Sequence, residues 1–129
     1  MFLLTPTGSL GYKGTDSFLN ELPESYLQNI VFVLCLDSIG LGDSVNLHVS
    51  RYPRENEDTS NNFFNALNST TKHMNVNYKI FKKPINQTSE YVPWEHERFG
   101  YKKIHGVTFS GRENASTDII DKASIFDNE

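Results

Sequence analysis

The sequence is 129 residues long, with a formal net charge of −4, 37% hydrophobic and 22% charged residues, and one cysteine. That length suits at most one domain, and its longest apolar run, Ile30 to Leu36, is far below the roughly 20 residues a bilayer span needs. A mildly acidic balance leaves no electrostatic footprint for nucleic acid, and a lone Cys35 excludes an internal disulfide framework and a cysteine-based zinc cluster.

In chain order, Met1-Phe2-Leu3-Leu4 is too short for a secretory core and lacks a basic segment before it, so it reads as a buried strand entered in mid-course. Thr5 to Gly11 is a loop. Thr15, Asp16 and Ser17 offer caps for a short helix carrying Phe18, Leu19 and Leu22, stopped by Pro23. Ile30 to Leu36 is the strongest signal. It is β-branched, continuous and too short for a buried helix, which describes a central strand covered on both faces. Val45 to Val49 alternates as a half-exposed strand should, with Asn46 and His48 outward.

Arg51 to Asn62 is polar and loop-like, and Phe63, Phe64, Leu67 and Met74 then make a helical stripe. Tyr78 to Phe81 is a short strand and Lys82 to Pro93 a long loop. Trp94 to Lys103 can form a helix with Trp94 and Phe99 apolar and Glu95, Glu97, Arg98 and Lys102 solvated. Val107 to Phe109 is a last strand, and a further helix can begin at Thr117-Asp118-Ile119-Ile120-Asp121.

Chemistry must be sought among carboxylates and histidines. Asp37 ends the strongest strand, where open α/β sheets gather their ligands and where a carboxylate can hold a metal; the competing reading is that it stabilises the turn into Ser38-Ile39-Gly40. Gly8, Gly11 and Gly14 match no phosphate-binding fingerprint, and Ser9 lacks the glycine two residues earlier that a nucleophile elbow requires. His48, His73, His96 and His105 are widely separated. His96, between Glu95 and Glu97, could serve in a metal or acid–base group if a cleft brought Asp37 near. Three sequons, at Asn68, Asn86 and Asn114, are glycosylation candidates in a lumenal or extracellular domain.

The block Phe32-Val33-Leu34-Cys35-Leu36-Asp37-Ser38-Ile39-Gly40 resembles a strand-and-turn block of the M28 zinc aminopeptidases. Trp94-Glu95-His96-Glu97-Arg98-Phe99, followed by Ile104-His105-Gly106-Val107-Thr108-Phe109-Ser110, resembles that family's later helix–strand block. With Leu47-His48-Val49-Ser50, Pro53-Arg54-Glu55 and Tyr12-Lys13-Gly14-Thr15, the likeness narrows to the nicastrin-related endoplasmic reticulum proteins within that wider family and runs from Phe2 to about Asp121.

The resemblance implies part of a three-layer α/β/α domain, with membrane attachment through a segment outside this sequence. It also implies an endoplasmic reticulum, lumenal setting. The partners it implies are Nodal modulator and a small multipass membrane protein, in a translocon-associated complex for multipass membrane protein insertion, with a link to Nodal signalling. Departures from the peptidase pattern imply a non-catalytic scaffold. Gly8 and Ser9 stand where two glutamates belong, and no histidine falls between Arg112 and Thr117 where the last zinc ligand belongs. Asp37 alone matches a zinc-ligand position, as a vestige. No catalytic residue, metal or cofactor is therefore expected. The runner-up is a zinc-dependent M28-type aminopeptidase with ligands drawn from Asp37, Asp43, Glu95 and His96, and a third reading is a nicastrin-like substrate receptor.

Overall fold

A computed structural model describes residues 1–4, 11–40 and 44–115. Eight elements follow in order: α1 (Lys13–Glu21), α2 (Glu24–Leu27), β1 (Val33–Asp37), β2 (Val45–Val49), α3 (Asp58–Met74), β3 (Tyr78–Lys82), α4 (His96–Tyr101) and β4 (Gly106–Ser110). The strands form one mixed sheet in the order β1-β4-β2-β3. β1 runs parallel to β4 and β2 parallel to β3, while β2 and β4 are antiparallel.

Successive strand side chains point to opposite faces, and the register makes the two faces chemically different. Cys35, Thr108 and His48 lie side by side across one face. There Cys35 packs with Leu19, Phe99 and Ile104 from α1, α4 and the turn after it. Leu47, Val49 and Val107 occupy the other face beneath Phe63, Phe64 and Leu67 of α3. Helices thus cover both faces of a mixed sheet, the α/β layering expected from the sequence.

Capping explains where the helices stop and start. Asn75 closes α3 at φ 54°, with its N–H on the Thr71 and Lys72 carbonyls, and asparagine tolerates that left-handed conformation. Helix α3 begins at Asp58 rather than near Phe63. Glu57, just ahead of it, is gripped by both terminal guanidinium nitrogens of Arg51 at 2.6 and 2.7 Å and takes the Arg54 N–H at 2.8 Å. Helix α1 begins at Lys13. Thr15 therefore lies inside the helix rather than capping it, and its hydroxyl donates to Glu95 at 2.6 Å.

Four expectations are corrected. Met1 to Leu4 forms no strand, and Met1, Phe2 and Leu4 are exposed. The apolar run of β1 lies at the sheet edge, not its centre, so Leu34 and Leu36 are 43% and 62% exposed. The strand between β1 and β2 is β4, which comes last in sequence. Asn46 and His48 on β2 are buried rather than outward, because α4 and the Trp94 segment cover that face. Glu97 and Arg98 are likewise buried, since α4 is clamped between the sheet and α1. The helix expected at Thr117–Asp121, the loop residues Gly8 and Ser9, and Asp43 lie outside the described residues.

Candidate functional site

The polar groups singled out in the sequence collect on the α4 face of the sheet, in three linked clusters. The first lies at the end of β1. Asp37 and Ser110 are register partners, and Ser110 in turn faces Asn46 on β2. Arg112, two residues beyond β4, reaches back so that one terminal nitrogen lies 3.1 Å from each Asp37 oxygen and 3.0 Å from Ser38 Oγ. The hydroxyls of Ser110 and Ser38 donate to the two Asp37 oxygens at 3.2 Å each. Asp37 is therefore held partly by its own turn, as expected, and chiefly by an arginine 75 residues away. Asn46 is fully buried, and among the described residues neither its amide atoms nor Arg112 Nε has a hydrogen-bond partner.

Zinc would need Asp37's lone pairs together with several converging ligands. Those lone pairs already accept from a guanidinium and two hydroxyls, and among the described residues no group of three or more His, Cys, Asp or Glu could hold a metal. The described residues do not by themselves fit a zinc centre. Glu95, a ligand in the peptidase alternative, accepts from Thr15 instead.

The second cluster is histidine. His96 sits between Thr108 Oγ1 at 2.8 Å and Ser50 Oγ at 3.0 Å. Its burial, with His48 and His105 nearby, depresses its pKa to about 3. His105 Nε2–H donates to the Arg51 carbonyl at 3.2 Å and Nδ1 meets Ser60 Oγ at 2.9 Å, and burial lowers its pKa too. His48 donates to the Arg112 carbonyl at 2.9 Å and is stacked between Trp94 and Phe81, with ring centroids 3.7 and 5.2 Å away. Burial is again the main cause of its lowered pKa. Three of the four histidines are thus neutral and hydrogen-bonded in the fold's interior. His73 lies in the last turn of α3, exposed and apart from them.

The third cluster surrounds Glu97 and Arg98, both missed as buried groups in the sequence. Arg98 donates from Nε and a terminal nitrogen to the Gly11 carbonyl at 2.9 and 2.7 Å, and from the terminal nitrogen to the Glu90 carbonyl at 2.8 Å. This anchors Gly11 at φ 67°, where an added Cβ would meet the Tyr91 ring at 3.2 Å. Glu97 is only 2% exposed, and desolvation pushes its pKa up to about 7. It borders a cavity of about 330 Å³ between β2, β3 and the start of α4. A larger cleft of about 610 Å³ opens beside Arg51, Glu57 and His105, whose polar groups are already engaged with one another.

Comparison with known proteins gives this arrangement its relatives. The chain is 34% identical over 140 aligned positions to the BOS complex subunit NCLN, nicalin, of Canis lupus familiaris, an alignment covering 100% of the chain and 25% of that protein. The Homo sapiens protein of the same name is 33% identical over 140 positions, with the same coverage. In Danio rerio the subunit is 33% identical over 136 positions, 97% of the chain and 24% of that protein. Along its whole length the chain is similar to these nicalin proteins. It spans about a quarter of the length of these nicalin relatives, which are named as subunits of a complex. No protein-family model matches it. No described helix is long and apolar enough to cross a membrane.

The Asp37–Arg112 pair had a faint trace in sequence. The stretch Arg112–Thr117 stood out for lacking a histidine, and the arginine that opens it is the residue that occupies Asp37.

Proposed function

We propose that this chain is part of a catalytically inactive, M28-like lumenal domain that serves as a scaffold in a nicalin-type subunit. The observation that carries the reading is the match, along the whole chain, to proteins named as BOS complex subunits. The pinning of Asp37 by Arg112 supports its non-catalytic side. A hydrolytic zinc site must keep an open coordination position and a base to accept a proton from its water, and Asp37 has its lone pairs engaged instead. In this reading the full protein is attached to the endoplasmic reticulum membrane by a segment outside the chain. It assembles there with Nodal modulator and a small multipass membrane protein at the translocon, supporting multipass membrane protein insertion, and the same assembly bears on Nodal signalling.

Two measurements test it. Affinity purification of the full-length protein from endoplasmic reticulum membranes should recover Nodal modulator in stoichiometric amount; its absence would overturn the partner assignment. Elemental analysis of the same material should show no stoichiometric zinc, with no hydrolysis of aminoacyl-anilides. Two bound zinc ions, or activity abolished by chelation and by Asp37→Asn, would instead establish the aminopeptidase.

A lumenal setting also makes the sequons usable. Asn86 is exposed, and its Oδ1 accepts from both the N–H at 3.1 Å and the hydroxyl at 2.8 Å of Thr88, so the sequon is held in a compact turn at the surface. Asn68 is exposed but lies within α3, where the helical backbone is rigid. Asn114 is exposed beyond β4. Glycosidase treatment of protein made with microsomes should shift its mobility, and Asn86→Gln should remove the largest part of that shift. No shift at all would count against the lumenal setting.

A further inference from the structure

Glu97 is a buried carboxylate with unused binding capacity. It is 2% exposed, and among the described residues no cation lies within ion-pair distance of it. Its sequence neighbour Arg98 is turned away onto the Gly11 and Glu90 carbonyls. The Trp94 N–H donates to it, and Lys83 acts on it only through space. A carboxylate in this position demands either a proton or a cation.

The space beside it is shaped for one kind of cation. The cavity of about 330 Å³ is bordered by Trp94 and Phe81, which stack on the two faces of His48 at interplanar angles of 19° and 18°. That volume is at the small end of ligand sites, which run from about 300 to 1,000 Å³, and suits one side chain rather than a cofactor. A guanidinium is planar, pairs with a carboxylate through two parallel N–H groups, stacks on aromatic faces and sheds water more readily than an ammonium. Of the two lysines at the rim, Lys82 leans over the Tyr52 ring at 5.4 Å on the other face of β3, which leaves Lys83 as the group that faces Glu97.

We propose that this cavity is a binding site for an arginine side chain of a partner polypeptide, whose guanidinium pairs with Glu97 beside Trp94. Lys83 then acts as a competitor that the arginine displaces. The site stands on the cavity itself and does not depend on the complex to which the relatives belong.

Trp94 is the only tryptophan of the chain and forms a wall of the cavity, so its emission reports occupancy directly. The probes are three capped tripeptides, acetyl-Gly-X-Gly-amide, with arginine, its neutral isostere citrulline, or glutamate as X. The arginine probe should change Trp94 emission saturably, citrulline should bind at least tenfold more weakly, and glutamate should not bind. In Glu97→Gln the arginine response should fall at least tenfold, and in Lys83→Ala it should hold or strengthen. The proposal is overturned if citrulline equals arginine in the unmodified chain, a result that needs no variant to fold. It is equally overturned if the glutamate probe is preferred, which would make the cavity a site for anions, or if Lys83→Ala abolishes arginine binding, which would show that Lys83 is no competitor.

Discussion

β1 and β2 are each five residues long, and their burial is the reverse of their polarity. β1 continues the most apolar run in the chain, yet Leu34 and Leu36 are both exposed. β2 carries Asn46 and His48 between its aliphatic residues, yet Asn46, Leu47, His48 and Val49 are all buried. Position in the sheet makes the difference. β2 is flanked by β4 and β3 and roofed on both faces, whereas among the described residues β1 has one neighbour and α3 sits over the other strands. The apolar pattern states what a strand can bury; neighbours decide what it does bury.

Core truncation should expose that contrast most strongly. Leu47 is fully buried against α3, so Leu47→Ala should destabilise by about 2–5 kcal/mol, the usual range for a buried leucine. Leu34→Ala, with nearly half of that residue already in water, should lose about 1 kcal/mol or less, since transfer energy follows the area buried. Equilibrium urea unfolding of both variants measures the gap. Equal losses would mean that β1 is covered in solution.

Acidification should act on β2's side of the comparison next. His48, His96 and His105 have folded pKa values below the ordinary histidine value of about 6.5, chiefly through burial. Below that pH the unfolded chain takes up protons that the folded chain refuses, so stability falls as pH drops through it. Glu97 opposes this, because its folded pKa near 7 makes the folded chain take up a proton between about pH 7 and the ordinary glutamate range. His96 and Glu97 roughly offset each other, and the lowered pKa values of His48 and His105 tip the balance. Unfolding free energy should therefore decline from pH 6.5 toward 5, each histidine contributing at most about 1.4 kcal/mol per pH unit. His96→Gln should flatten the decline by one proton's share; an unchanged slope would mean His96 is not held neutral.

The α3 entry gives a smaller effect. Arg51's two-pronged grip and the Arg54 N–H hold Glu57 down to about pKa 2, so its stabilisation is present above the usual glutamate pKa and lost as pH falls toward 2. Glu57 is a quarter exposed and screened by solvent. Glu57→Gln should accordingly lower stability by about 1 kcal/mol at neutral pH. A melting temperature unchanged at pH 7 would show that the pair only decorates the helix start.

These contrasts mark how far the sequence could be read. All four strands and α3 were legible, because alternation and helical stripes are local patterns that Leu47, Val49, Phe63 and Leu67 carry on their own. The strand order was not, since β4 enters between β1 and β2 from more than 55 residues downstream and nothing near Leu34 records it. Site chemistry divides in the same way. Asp37 stood out from its place after an apolar strand, but Arg112 lies 75 residues beyond and carries no local signature. Glu97 and Arg98 read as a solvated helix face because charge suggests exposure. Only the packing of α4 against both the sheet and Gly11 turns them inward.

The finest test separates the edge of β1 from its inner face. β1 is open at its outer edge, but Cys35 points to the α4 side, 5% exposed against Leu19, Phe99 and Ile104. Burial, with Glu95 close by, raises its thiol pKa well above the ordinary value, so little reactive thiolate exists at neutral pH. Labelling by a thiol reagent in the folded chain should be at least about 100-fold slower than in denaturant, because it must wait for local opening. The rate should be the same in Leu36→Ser, which alters only the exposed face. Fast labelling in the unmodified chain would show β1 peeling from β4 as a unit, and acceleration in Leu36→Ser alone would show that the bare leucine face still steadies the strand.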